Sequence, residues 1–124
     1  MKKQIESFLY AFNGIRCAFK SEAHLKFHCC IALLVIVCGF LFQISIMEWI
    51  ACLLCIGSVI SAELINTAIE AVTDLATKES HPLAKKAKDV AAGAVLVSAI
   101  TAATIGLLIF VPKAFHCLQL LFLA

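Results

Sequence analysis

Residues 49–74 read WIACLLCIGSVISAELINTAIEAVTD. From Trp49 to Ala62 the run carries no charge, and it then continues without a breaker through Glu63, Asn66, Glu70 and Asp74. At about 100° per residue, those four polar side chains fall at roughly 0, 300, 340 and 20 degrees, one narrow stripe of a helix. An apolar helix with ionisable groups along one line of its later half is the pattern of a membrane span with a polar working face. Ionisable residues at such depth are costly, and they are usually functional.

Working outward, residues 27–46 form a charge-free stretch of about twenty residues, enough at about 1.5 Å each to cross a bilayer. Residues 43–48 make a short connection, and Trp49 is placed as an interfacial anchor. Before that span, Ile5, Phe8, Leu9, Phe12, Ile15 and Phe19 recur at three- and four-residue spacing. They predict an amphipathic helix lying in the membrane interface. Charges run through this segment, so it does not read as a secretory signal. After Asp74, residues 77–82 read as a loop, with Ser80 or His81 as N-cap and Pro82 near the first helical position. A third long helix is expected from about Leu83 to Val111, with Pro112 ending it. The predicted architecture is all-α and integral to the membrane: a surface helix over 1–26, transmembrane spans at 27–46, 49–70 and 90–111, and one membrane-embedded domain over 1–124.

Composition agrees. Apolar residues make up 63% of the chain and the mean hydropathy is +1.03, against roughly 45–50% apolar in soluble domains. A domain this small cannot bury so much apolar surface against itself. The net charge of +2 leaves no nucleic-acid footprint, but its placement is informative. Lys2, Lys3, Arg16, Lys20 and Lys26 precede the first span, and Lys78, Lys85, Lys86 and Lys88 separate the second from the third. These are nine of the ten basic residues. The positive-inside rule puts the N-terminus and the 71–89 region in the cytoplasm and the C-terminus outside. The seven cysteines are an odd number lying mostly in apolar runs, where small packing residues are the simpler reading than metal or redox centres. Ala94, Ser98, Ala102 and Gly106 recur every four residues, a register that lets helices approach closely. Three thin helices cannot shield several polar groups from lipid unaided, which favours a homo-oligomer.

The stripe of acids faces, across the loop, the sequence Lys85-Lys86-Ala87-Lys88-Asp89. Lysines near a helix N-terminus favour phosphate groups, although a basic juxtamembrane cluster is by default a topology signal and headgroup contact. Together the residues supply what phosphoryl transfer needs. Carboxylates can hold Mg²⁺, lysines can neutralise phosphate, and a deeper carboxylate can take a hydroxyl proton. Glu22, before the first span, can add a second metal ligand. No GxxxxGK[ST] or GxGxxG motif is present, so any nucleotide site is unconventional. Glu63 as a protonated structural carboxyl, and Glu70 and Asp74 as solvated acids, are the competing readings. At the level of function the competitor is a non-enzymatic channel or transporter subunit, against which the clustering of acids and lysines at one leaflet counts.

Glu63-Leu-Ile-Asn66-Thr-Ala-Ile-Glu70-Ala-Val-Thr-Asp74, followed by His81-Pro82-Leu-Ala-Lys-Lys-Ala-Lys88-Asp89, resembles the signature of the prokaryotic diacylglycerol kinase family. Tyr10-Ala-Phe-Asn13-Gly-Ile-Arg16 to Glu22 is similar to its amphipathic helix, and the likeness covers about residues 3 to 111. The resemblance implies a homotrimer with sites shared between subunits, and an ATP- and Mg²⁺-dependent transfer of phosphate to a membrane lipid alcohol. By position, it implies Glu63 as general base and Glu22 and Glu70 as Mg²⁺ ligands. It places Lys3, Tyr10, Glu22, Glu70, Glu79, Ser80, His81, Lys88 and Asp89 at the nucleotide. Asn66 and Asp74 match further polar positions of the site, and Asn13 and Arg16 those at the lipid headgroup. His28 stands where the enterobacterial members carry an acid, and Ser80 and Pro82 depart from their loop. His81-Pro82-Leu-Ala-Lys is instead similar to the branch acting on undecaprenol, which leaves the acceptor open between diacylglycerol and undecaprenol. His24 and His28, spaced i, i+4, read as interfacial histidines rather than a metal pair.

Overall fold

The computed structural model describes residues 2–123 as four helices: α1 (Lys2–Ser21), α2 (Ala23–Leu41), α3 (Ile46–Ala76) and α4 (Pro82–Leu123). Among the described residues α2, α3 and α4 are long and apolar enough to cross a membrane, and α1 is not among them. Its apolar stripe stays uncovered, with Phe8 78% and Phe12 69% exposed.

The expected surface helix over 1–26 is interrupted at Glu22, which caps α2 in an extended conformation. Residues 23–26 therefore belong to the first spanning helix. The far end of that span also differs, because α2 stops at Leu41 and residues 42–45 form the turn. Gln43 takes a left-handed φ of 48° there, and Ile44 is buried. Ser45 then starts α3. Its hydroxyl accepts from the Glu48 N–H while the Glu48 carboxylate accepts from the Ser45 N–H at 2.7 Å. This reciprocal capping box satisfies two backbone donors at the helix start, so α3 begins three residues before Trp49. Gly39 makes the turn possible. A Cβ there would lie 2.6 Å from the Trp49 ring, so only glycine lets the indole close against α2, beside Phe40 at 5.0 Å between centroids.

The expected stop at Pro112 is absent, and α4 continues through it to Leu123. Proline deprives the Leu108 carbonyl of its partner but is tolerated in spanning helices. No glycine follows to end the helix, and Lys113 is held to Glu48 of α3 at 3.1 Å, which anchors the turn after the proline. Of the small-residue stripe on α4, Ser98, Ala102 and Gly106 are half-buried, whereas Ala94 is exposed and the packed face continues through Val95 and Ala91 instead.

α3 and α4 form the main antiparallel pair, α2 packs on α3, and α1 touches both α2 and α3. Two ion pairs bracket the α3–α4 hairpin: Asp74 with Lys88 at the loop end and Glu48 with Lys113 at the other. They lie about 38 Å apart along the helices, close to the bilayer thickness with its polar margins. The chain has little core of its own. Ala18, Leu25, Ala32, Cys52 and Val59 are among the few buried apolar residues, and no residue of the most apolar window of α4 is buried. Most of the apolar surface is therefore left for lipid or for other subunits.

Candidate active site

Glu63 is the deepest of the acids. It lies about 16 Å along α3 from Asp74 and about 22 Å from Glu48, hence in the half nearer the loop. It is 4% exposed. An uncompensated carboxylate in such surroundings is costly, and the compensation comes from α2: the His28 Nε2 lies 3.2 Å from the Glu63 Oε1. Sequence reading placed His28 at the interface and gave it no role. The signal available was a polar residue at the start of an otherwise apolar span, but the contact itself joins two helices and no local pattern announces it.

One turn on, the Asn66 Nδ2 donates to the Glu70 Oε1 at 2.9 Å. The Asn66 Oδ1 is buried without a partner, an acceptor aimed at no donor of this chain. The Glu70 carboxylate is half-buried and keeps its second oxygen uncommitted. Thr67 and Thr73 return their hydroxyls to the Glu63 and Ile69 carbonyls, so these side chains are occupied within α3.

Beyond α3 a polar cleft of about 600 Å³ opens between its last turns, the loop and the start of α4. It gathers Asp74, Glu79, Ser80, His81, Lys88 and Asp89. Loop geometry is set locally. The Thr77 hydroxyl accepts from the Glu79 N–H, and the His81 Nδ1 accepts from the Leu83 N–H, so His81 acts at the α4 start as an N-cap does. Lys88 is paired with Asp74, and Lys85 with Asp89. An anionic ligand in this cleft would draw the lysines from partners they already hold.

The other expected residues lie apart from this cleft. Lys3, Tyr10, Asn13 and Arg16 stand exposed on α1 and do not line it. Glu22 sits at the α1–α2 break, half-buried, and its side chain makes no capping bond. Among the described residues, no three His, Cys, Asp or Glu side chains gather as a metal site. The carboxylates nonetheless suit Mg²⁺, a hard cation that takes one or two protein oxygens and completes its shell with phosphate and water. Glu22 and Glu70 each have oxygens to give.

Three helices long and apolar enough to span, an amphipathic N-terminal helix and a cleft of acids and lysines at one end define a multi-pass membrane protein. The chain belongs to the prokaryotic diacylglycerol kinase family, whose model matches residues 9–110. It is 49% identical to the undecaprenol kinase of Bacillus subtilis over 113 residues, covering 91% of this chain and 92% of that protein. It is 37% identical to a diacylglycerol kinase of Helicobacter pylori (80% of this chain, 77% of the relative). The diacylglycerol kinase of Escherichia coli K12 is 31% identical (75% and 76%). Membership makes the chain a phosphotransferase and sets aside the non-enzymatic channel subunit.

Proposed function

We propose that this chain transfers the γ-phosphoryl group of ATP to the hydroxyl of a membrane lipid, with undecaprenol the favoured acceptor and diacylglycerol the second. The observation that carries the reading is the buried Glu63 carboxylate, set on the same face of α3 as Asn66 and Glu70 and below the cleft of Lys88, Asp89 and the loop. A base in the membrane and a phosphate site at its surface suit one substrate that stays in lipid and another that comes from water. The choice of undecaprenol is supported by the 49% identity to an undecaprenol kinase, against 31–37% for the diacylglycerol kinases above.

The nucleotide lies in the loop cleft, its phosphates met by Lys88 and its base and sugar by Glu79, Ser80, His81 and Asp89, while Tyr10 and Lys3, which do not line the cleft of their own chain, reach the nucleotide from a neighbouring subunit. Glu22 and Glu70 would hold Mg²⁺, which when bound neutralises phosphate charge. The lipid enters from the inner leaflet, its head beside Asn13 and Arg16. Its hydroxyl reaches Glu63, which accepts the proton as the oxygen attacks phosphorus. The Asn66 Oδ1 offers the acceptor that a ligand hydroxyl lacks elsewhere, and Asp74 tethers Lys88. The working unit is a homotrimer that covers the exposed apolar faces, one membrane-embedded domain per chain, in a bacterial inner membrane with the N-terminus and the 77–82 loop cytoplasmic.

The test is transfer of labelled phosphate from Mg-ATP in mixed micelles containing either alcohol. Faster labelling of undecaprenol supports the reading. Faster labelling of diacylglycerol moves the preferred acceptor, and labelling of neither by folded protein contradicts it.

A further inference from the structure

Glu63 has two carboxylate oxygens, and among the described residues one ion-pairing side chain from another helix meets it, the His28 Nε2 at 3.2 Å from Oε1. A carboxylate oxygen can only accept, so the imidazole nitrogen is the one group of this pair able to donate. The His28 side chain is 19% exposed and that of Glu63 6%. The ring lies edge-on to Phe27, at 5.6 Å between centroids and 70° between planes, which limits its rotation. Both partners sit on long helices rather than on loops, so the pair is held by the packing of α2 on α3.

We infer that His28 is the positioning residue of the phosphoryl transfer. It fixes the Glu63 carboxylate through Oε1 and thereby leaves Oε2 turned to the acceptor hydroxyl. The inference rests on the lipid-kinase reading above. In the step it serves, the lipid O–H proton passes to Oε2 and a bond forms from the lipid oxygen to the γ-phosphorus. The bond from phosphorus to the β–γ bridging oxygen breaks, and ADP leaves. His28 exchanges no proton in this step. Its contribution is orientation, through the 3.2 Å contact with Oε1. Misplacement of a reacting group by about 1 Å can cost on the order of a hundredfold in rate.

The side-chain chemistry supplies a graded test. Glutamine carries an N–H donor as many bonds from Cβ as the histidine Nε2, asparagine carries it one bond short, and alanine has none. His28→Gln should keep kcat within about threefold of wild type, whereas His28→Asn and His28→Ala fall about a hundredfold, all with KM for Mg-ATP unchanged. Elution volume and thermal unfolding in detergent identify any variant that fails to fold. The second measurement is independent of activity. In ¹⁵N-histidine-labelled protein, the His28 Nε2 resonance, assigned by its absence in His28→Gln, should move on Glu63→Gln and stay put on Glu48→Gln. Wild-type kcat in folded His28→Ala overturns the inference, as does a folded His28→Gln as slow as His28→Ala. An imidazole resonance indifferent to Glu63→Gln overturns it as well. If the wild type itself phosphorylates no lipid alcohol, the lipid-kinase reading falls, and the resonance alone decides whether His28 holds Glu63.

Discussion

The two ends of the α3–α4 hairpin are built from the same kinds of side chain and do different things with them. At the end near residue 48, Glu48 caps the helix with Ser45 and also meets Lys113. Trp49 closes over Gly39. Ser45, Glu48 and Lys113 are all partnered there, and the turn is packed. At the loop end Lys88 and Asp74 pair in a similar way, but around an open cleft of about 600 Å³. Below it, Asn66 keeps a buried oxygen unpartnered, and Glu63 pairs with His28 of α2. One end is finished without a ligand and the other is not. The difference separates residues that hold the hairpin together from residues placed for chemistry.

Substitutions at each end sharpen or break that contrast. The largest effect in this set is expected at the loop end from Glu70→Gln. The loss of a metal-holding carboxylate should lower turnover about a hundredfold or more and raise the Mg²⁺ concentration needed for half-maximal rate. Wild-type Mg²⁺ dependence in a rate titration would remove Glu70 from the metal site. Lys88→Ala should raise KM for ATP about tenfold, the scale of one charge-assisted contact to phosphate. A change in KM for the lipid alone would place that lysine elsewhere. At the finished end, Gly39→Leu forces a side chain into the Trp49 ring and should destabilise the protein by about 1–3 kcal/mol, read by denaturation in mixed micelles. Turnover per folded chain should be unchanged. Smallest is Ser45→Ala, which removes half of the capping box for about 1 kcal/mol, again without kinetic effect. If either of these two changed kcat in folded protein, the division between the ends would fail.

The amino-acid sequence carried the spanning helices and the acidic stripe because both are one-dimensional patterns. Hydropathy runs mark the spans, and a four-residue spacing puts Glu63, Asn66, Glu70 and Asp74 on one face. The loop cleft was legible for a similar reason, since its residues lie close together in the chain. What escaped depended on partners far away in sequence. His28 sits 35 positions before Glu63, and only the packing of α2 on α3 joins them. Pro112 reads as a stop from local rules, yet α4 passes through it, with Lys113 tied to Glu48 on α3. The Ser45–Glu48 capping box is itself a local pattern, set beside the stronger hydropathy and interface signal of Trp49. The register of α4 through Ala91 and Val95 was set by contact with α3, which small-residue spacing alone does not specify.

The central claim is that the buried Glu63 does chemistry rather than holding helices together. Glu63→Gln keeps the shape and a hydrogen-bonding group while removing the basic oxygen. The decisive measurement is single-turnover phosphate transfer from labelled Mg-ATP to undecaprenol by this variant, with ATP binding and thermal unfolding measured on the same preparation. The account predicts wild-type ATP affinity, an intact fold and transfer reduced by about 10²–10⁴-fold, the range of a general base. Transfer at the wild-type rate, or loss of activity only together with loss of the fold, would contradict it.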